Sequence, residues 1–213
     1  MTTLRHAPWD AIAGLRHGFL PGRVEPTASV LLPRQVHGTR VVDAPFVGER
    51  PEADGVVTVS PGTLVGIVTA DCVPILMLAP RRRVAAAVHA GWRGAAAGIV
   101  DTALAHLRDR FDVEPAEVEA TLGPAIGPCC YEVGSEVRDA FTKTSGDTTA
   151  VAWTRHGTRD LLDLRGAVTA LLRAAGVARI ASIGPCTRCS ADHCSYRRDG
   201  ADAGRQVSFI GWA

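Results

Sequence analysis

Two short stretches gather the side chains best suited to chemistry. In Thr69-Ala70-Asp71-Cys72-Val73-Pro74 a carboxylate stands beside a thiol, and in Val88-His89-Ala90-Gly91-Trp92-Arg93-Gly94 an imidazole precedes a glycine-bracketed arginine. Thiol, imidazole and carboxylate are the groups that bind borderline-soft metals or act as nucleophile, acid and base. The glycine-bracketed turn either aims backbone N–H groups and Arg93 at an anion or merely permits tight packing; the residues alone allow both. Gln35-Val36-His37-Gly38 adds another imidazole, read as a surface turn histidine or as a functional one. Near the C-terminus Cys186-Thr187-Arg188-Cys189-Ser190-Ala191-Asp192-His193-Cys194 packs three thiols and an imidazole into one loop. By local spacing this is the strongest metal signature in the chain, yet a single knuckle normally has a paired second half, and this loop would have to be complete in itself.

The elements that must position these groups follow from apolar patterning. Leu64 to Ala70 reads as a buried strand ending at Asp71 and Cys72, and a further strand runs from Pro74 through Leu78, with proline confined to its start. Val84 to Val88 is the strand that presents His89. A helix is expected from about Ala95 to Arg110, with Ile99, Ala103, Leu104 and Leu107 on one face. Upstream, Leu15 to Leu20 forms an early strand followed by a loop. The alternation from Leu31 to Val42 predicts a strand with Gln35 and His37 on one face, and Val56 to Val59 another. Downstream, the segment from Pro115 is a strand running into a Gly-Pro loop through Cys129 and Cys130. Ser135 is expected to cap a helix to Phe141. Lys143 to Ala150 reads as a polar, mobile stretch and Leu161 to Ala175 as an amphipathic helix stopped by Gly176. Val177 to Ile183 is expected as a buried strand, and Arg205 to Trp212 closes the chain as a strand.

Composition bounds the function. A chain of 213 residues can bury one sizeable core, and one domain spanning 1–213 is the expectation. With 46% hydrophobic residues but two tyrosines and five phenylalanines, that core is built from Ala, Val, Leu and Ile, which suits an α/β protein. A formal charge of +1 argues against nucleic-acid binding through a basic footprint and leaves small molecules as the expected substrates. Arg, His, Trp and Asp interrupt the first nineteen residues, so they read neither as a signal peptide nor as a membrane anchor, and a cytoplasmic location with reduced thiols is expected.

Taken in order, Gln35-Val36-His37-Gly38, Ala53-Asp54-Gly55, Thr69-Ala70-Asp71-Cys72-Val73-Pro74, His89-Ala90-Gly91-Trp92-Arg93-Gly94, Gly123-Pro124-Ala125-Ile126-Gly127 and Ser195-Tyr196-Arg197-Arg198 with Gly204-Arg205-Gln206 resemble the YfiH-like family. That family is also described as a multicopper polyphenol oxidase or laccase-domain family, and its members as purine nucleoside phosphorylases. The match runs from about His17 to the C-terminus. One departure stands out: Gly18-Phe19 leads almost directly to Leu31, where typical members carry a Thr-Arg-x-Gly-Gly segment and a further stretch. A second is that His193 and Cys194 occupy positions where the family usually has aromatics.

The resemblance implies a single three-layer α/β domain, with a mixed β-sheet and flanking helices, related to the fold of deamidating toxins with a Cys-His site. It implies a zinc site made by His37, Cys72 and His89, which are also the expected catalytic residues, with Asp71 as an outer-shell acceptor. Two imidazoles and a thiolate leave one open tetrahedral position, as a catalytic zinc requires. The implied reaction is phosphorolysis of adenosine, inosine or guanosine to base and ribose 1-phosphate, with adenosine deamination and methylthioadenosine cleavage as further activities. Purine nucleoside and phosphate are then the small-molecule partners, with Gln35, Arg93 and Arg197 as substrate-binding candidates and no role for nucleic acid or membrane. Two other readings stand beside it: a metal-free cysteine hydrolase or peptidoglycan-precursor editing enzyme using Cys72, and a non-catalytic zinc-binding accessory protein. Copper ranks low, because one three-ligand trio does not supply the several copper centres of a laccase.

Overall fold

Short runs of aliphatic residues, bounded by glycine, proline and aspartate, build thirteen strands in this computed structural model, which describes residues 2–22, 24, 29–157 and 159–213. In chain order they are β1 (Leu15–Phe19), β2 (Val30–Leu31), β3 (Val41–Asp43), β4 (Gly55–Thr58), β5 (Leu64–Thr69), β6 (Val73–Ala79), β7 (Val84–Ala90), β8 (Glu119–Leu122), β9 (Glu132–Val133), β10 (Trp153–His156), β11 (Arg159–Leu162), β12 (Arg179–Ser182) and β13 (Gln206–Trp212). The α-helices are α1 (Trp92–Ala96), α2 (Ile99–Phe111), α3 (Ser135–Ser145), α4 (Leu164–Ala174) and α5 (Tyr196–Asp199). Among the described residues no helix is long and apolar enough to cross a membrane.

The mixed α/β architecture has three layers: a four-stranded sheet in the order β1-β13-β5-β2, a six-stranded sheet in the order β12-β8-β6-β7-β4-β3, and helices on the outer face of the second. A small sheet, β10-β11-β9, lies to one side. Strand β6 shows how the sequence specifies this. Its side chains alternate between faces. Ile75 and Met77 join the cluster against α2 and α4, while Leu76 and Leu78 join the cluster between the sheets with Val65, Ile67, Ile210 and Trp212. Both faces of β6 are buried, so it reads in sequence as an unbroken apolar run instead of an alternating one. Truncating Ile75 or Leu76, both fully buried, to alanine would cost about 2–5 kcal/mol.

Several expectations need correction. The helix expected from Ala95 to Arg110 is two helices, because Gly98 takes φ +92° and breaks it between α1 and α2. The stretch from Leu31 to Val42 is not one strand: its ends pair as β2 and β3, and residues 32–40 between them form a loop, bridged to Glu52 at Arg34, in which His37 has φ +60°. Gly134, not Ser135, occupies the N-terminal cap of α3, with no side-chain cap bond. The polar stretch after Lys143 is helical, continuing from α3 into a 3₁₀ helix over Gly146–Ala152 that buries Thr149. Leu161 and Leu162 belong to β11, so the amphipathic helix begins at Leu164, where Asp163 caps it by accepting from the Gly166 N–H. Strand β12 pairs on one side only and is partly exposed. The loop expected after Leu20 falls partly at 23 and 25–28, outside the described residues.

Candidate active site

Sheet register decides where the chemical groups meet. Strand β7 runs antiparallel to both β6 and β4, pairing Ala90 with Val73, His89 with Pro74 and Val88 with Gly55. The end of β7 and the starts of β4 and β6 therefore share one edge of the six-stranded sheet, which carries His89, Asp54 and Cys72. Cys72 lies in the turn by which the chain leaves β5 in one sheet and enters β6 in the other, with Asp71 at φ +85°. His37 comes to the same edge from the 32–40 loop.

Asp54 ties the pieces together. Fully buried, it accepts hydrogen bonds from the backbone N–H groups of Val36 (3.2 Å), His37 (2.9 Å) and Gly38 (2.7 Å) and from Nδ1 of His89 (2.8 Å). One carboxylate thus orients one imidazole directly and another through the turn that bears it. The His89 bond leaves Nε2 as the nitrogen with a free lone pair, the arrangement of a metal-ligating histidine with a carboxylate behind it. Burial alone would raise the Asp54 pKa, but the bonds from His89, Gly38 and Val36 outweigh it and hold the carboxyl below its usual range.

Expected as an outer-shell acceptor for the trio, Asp71 does something else. Its oxygens accept from Thr187 Oγ1 and from the Arg197 N–H, both at 2.6 Å, so it pins the C-terminal segment over the site. The carboxylate that stands behind one of the trio's imidazoles is Asp54. In the sequence Ala53-Asp54-Gly55 is a motif whose carboxylate has no evident task; its place just before the β-branched run of β4 is the signal it offers.

The ligand atoms of His37, Cys72 and His89 lie within 4.8 Å of one another, with Cys72 Sγ 3.9 Å from His37 Nε2 and the two rings edge to face at 4.8 Å. His89 is buried and His37 exposed, so the trio opens to solvent on one side. A tetrahedral zinc with bonds of about 2.0–2.3 Å would draw these atoms slightly closer, and two imidazoles with one thiolate suit it. Gly91 makes the approach possible. A Cβ there would sit 3.0 Å from both Cys72 Sγ and His37 Cδ2. The glycine bracket therefore serves close packing, and α1, five residues long, is no extended anion-binding helix.

Without metal the same groups polarise one another. Burial opposes ionisation of Cys72, yet hydrogen bonds and charge from His37 and His89 lower its pKa from 9.0 to about 6. Burial likewise opposes a charged His89, but Asp54 and Cys72 raise it to about 9. The metal-free trio is thus a thiolate beside an imidazolium backed by a carboxylate.

The trio opens into a cavity of about 680 Å³. Its walls carry five arginines, Arg34, Arg50, Arg93, Arg197 and Arg205, and the three aromatics Trp92, Tyr131 and Tyr196. Arg34 is paired with Glu52, but Arg50, Arg93, Arg197 and Arg205 have no carboxylate partner among the described residues. Arg93 lies over the Trp92 ring, and Arg197 lies over Tyr131 while donating to the Glu132 carbonyl. Burial and the nearby Cys72 push the Tyr131 hydroxyl up to about 12, so it stays a proton donor. Gln35 also lines the cavity, with its amide pinned across the Val68 backbone: Nε2 donates to the carbonyl at 2.8 Å and Oε1 accepts from the N–H at 2.7 Å. Arg205 stood in the Gly204-Arg205-Gln206 motif without an assigned role, while Arg50 and Tyr131 lie outside every motif, because an isolated arginine or tyrosine carries no spacing signal.

The cysteine-rich loop divides. His193 bonds Ser190 Oγ through Nδ1, and Cys194 is buried with its N–H donated to Gln206. Cys186 and Cys189 instead meet Cys129 and Cys130 from the Gly-Pro loop, with all four sulfurs within 4.8 Å. The paired half that a knuckle needs was elsewhere in the chain.

Comparison with known proteins agrees with this picture. Residues 20–213 match a family described as multi-copper polyphenol oxidoreductase laccase. A purine nucleoside phosphorylase of Streptomyces coelicolor is 42% identical over 187 residues, covering 86% of this chain and 75% of that protein. The purine nucleoside phosphorylase YfiH of Shigella flexneri is 38% identical over 180 residues, covering 83% and 71%. The crystal structure of the Bacillus licheniformis hypothetical protein YfiH superposes with a TM-score of 0.87 at 26% identity, covering 100% of this chain and 97% of that one. By its ordered motifs, its three layers and these relatives, the chain belongs to the YfiH-like family.

Proposed function

We propose that the protein is a zinc-dependent purine nucleoside phosphorylase acting on adenosine, inosine or guanosine with phosphate, with His37, Cys72 and His89 as the metal ligands and catalytic centre. The observation that carries this reading is the cavity: four arginines without carboxylate partners among the described residues and three aromatic rings line it beside a three-ligand Cys/His trio. An anion with several oxygens is what such arginines bind, and a flat heterocycle is what the rings accommodate. The relatives' names point the same way.

In phosphorolysis the ribose–base bond breaks as a phosphate oxygen bonds the anomeric carbon, so positive charge grows on the sugar and negative charge on the base. Arg93, Arg197 and Arg205 would hold the phosphate dianion beside the sugar, supplying the charge complementarity that an exposed nucleophile lacks in water. Tyr131, protonated at neutral pH, offers a donor for the departing base. Gln35 contributes by fixing the wall and the turn that carries His37. Bound zinc supplies Lewis acidity at this point, polarising the purine or activating water, and the second of these is the chemistry that adenosine deamination needs. Methylthioadenosine would use the same subsites.

The test is phosphate-dependent release of hypoxanthine from inosine, with zinc content measured on the same samples. Cys72→Ala is expected to lose the zinc held by the trio, and turnover with it. Arg197→Ala is expected to keep zinc and raise KM for phosphate about tenfold or more, since one charge-assisted hydrogen bond contributes roughly 1.5–3 kcal/mol. Turnover unchanged in Cys72→Ala sinks the proposal.

One observation favours a second reading. Cys72, His89 and Asp54 form a thiolate–imidazole–carboxylate series, with His89 Nδ1 on Asp54 and Cys72 ionised near neutrality. This is the arrangement of a cysteine hydrolase. Protein purified without zinc, with no phosphate-dependent release of base and with Cys72 readily alkylated near neutral pH, would select it over the phosphorylase.

A further inference from the structure

The four-cysteine cluster lies outside the cavity and takes no part in the proposed reaction. Cys129 and Cys130 sit in the loop after β8, and Cys186 and Cys189 in the loop after β12. Strands β8 and β12 are parallel neighbours, so their exit loops leave the same end of the sheet, and a bridge between Ala125 and Cys186 keeps them paired beyond it. The sulfurs of Cys130 and Cys189 are 3.4 Å apart and those of Cys129 and Cys189 3.8 Å, with all four within 4.8 Å. Four thiolates around one zinc with bonds of about 2.3 Å would stand about 3.8 Å from each other, which matches this spacing. Sulfurs this close enclose room for a single ion, not for a multinuclear iron–sulfur cluster. The backbone N–H of Gly127 points at Cys186 Sγ at 3.1 Å, the kind of donor that supports a metal-bound thiolate.

We propose that Cys129, Cys130, Cys186 and Cys189 bind a structural zinc, separate from the His37/Cys72/His89 site, that clamps the loop leading to the cavity residue Tyr131 onto the loop after β12. The consequence follows from what the loops carry. Tyr131 is the residue after Cys130. Thr187, between Cys186 and Cys189, donates its hydroxyl to Asp71, which also holds the Arg197 N–H. Arg198 ties α5 to the same loop through the carbonyls of Thr187, Arg188, Ser190 and His193. A metal here fixes Tyr131 and Arg197 relative to the trio, and a closed four-ligand site offers no open position for substrate.

The test is independent of the reaction in the cavity. Purified wild-type protein is expected to hold two zinc ions per chain by mass spectrometry. Cys72→Ala is expected to hold one, and Cys186→Ser with Cys189→Ser to hold one while keeping the trio's metal. As a readout that does not require the double variant to fold, Cys72→Ala reconstituted with cobalt(II) is expected to show a strong near-ultraviolet thiolate-to-cobalt band, because the trio's thiolate is absent. Loss of that band overturns the proposal. So does a wild-type stoichiometry of one zinc that falls to none in Cys72→Ala. A Cys130–Cys189 disulfide in freshly purified protein, seen as a mass two hydrogens lighter that alkylation without reductant does not change, overturns it as well.

Discussion

Replacing Asp54 by asparagine is the sharpest test of how the site is assembled. In the native protein Oδ1 accepts from the His37 N–H and His89 Nδ1, and Oδ2 from the Val36 and Gly38 N–H groups. Asparagine has one acceptor oxygen. Whichever way its amide turns, its NH₂ faces two N–H donors in a fully buried place. Two hydrogen bonds to a charged group are lost, which at about 1.5–3 kcal/mol each amounts to roughly 3–6 kcal/mol before any repulsion is counted. Because His89 loses its carboxylate or the His37 turn loses its anchor, zinc affinity at the trio should fall about 10–100-fold. Urea unfolding and chelator competition measure the two effects. The pH dependence supplies a check of sign. The folded carboxyl titrates below its ordinary value of 3.8, so its stabilisation is present above that value and lost as pH falls through the folded pKa. Asp54→Asn should remove this acid-sensitive component. Stability within about 0.5 kcal/mol of wild type, the range of an ordinary surface substitution, together with unchanged zinc affinity would refute the assignment of Asp54 as organiser.

Three further outcomes are expected. In metal-depleted protein Cys72 should react with iodoacetamide with a midpoint near pH 6 instead of 9.0, and added zinc should protect it; a midpoint at the ordinary value would show that His37 and His89 do not face the thiol. Gly91→Ala pushes a methyl group against Cys72 Sγ and His37 Cδ2, each 3.0 Å away, so it should cost about 1–3 kcal/mol and weaken metal binding at the trio. His17 is held neutral by burial, its Nε2 accepting the His6 N–H, and its pKa lies below 6.5. The neutral form's contribution is complete above 6.5 and declines as pH falls through the folded pKa, so His17→Gln should flatten the stability profile on the acid side of 6.5.

The elements nearest the chemistry were well marked in the sequence. Strands β5, β6 and β7 are continuous aliphatic runs because both of their faces are covered, and such runs need no knowledge of their partners to be recognised. The helix after Gly94 was legible in type and not in continuity, since a left-handed glycine and a merely tolerated one look alike in sequence. The two-residue strand β2 and the hairpin β10–β11 escaped notice because so few residues carry too little pattern. Gln35 and His37 were expected on one face of a strand; the chain there is a loop, held in place by the Asp54 carboxylate and by the backbone of Val68.

The site divides along the same line. Residue type and motif order singled out His37, Cys72 and His89, because thiol and imidazole at strand ends announce their chemistry wherever the chain takes them. Two things rested on register alone. Antiparallel pairing of β7 with β4 and β6 sets Asp54 behind His89 and leaves Asp71 to hold the C-terminal segment. Parallel pairing of β8 with β12 brings Cys129 and Cys130 to Cys186 and Cys189, a separation of about sixty residues that no local spacing rule spans. Local sequence determines which groups a strand end presents, through propensity and turn chemistry. Which strand ends become neighbours is set by the packing of all three layers at once, so the partners of Asp54, Asp71 and the four cysteines were decided only in the tertiary structure.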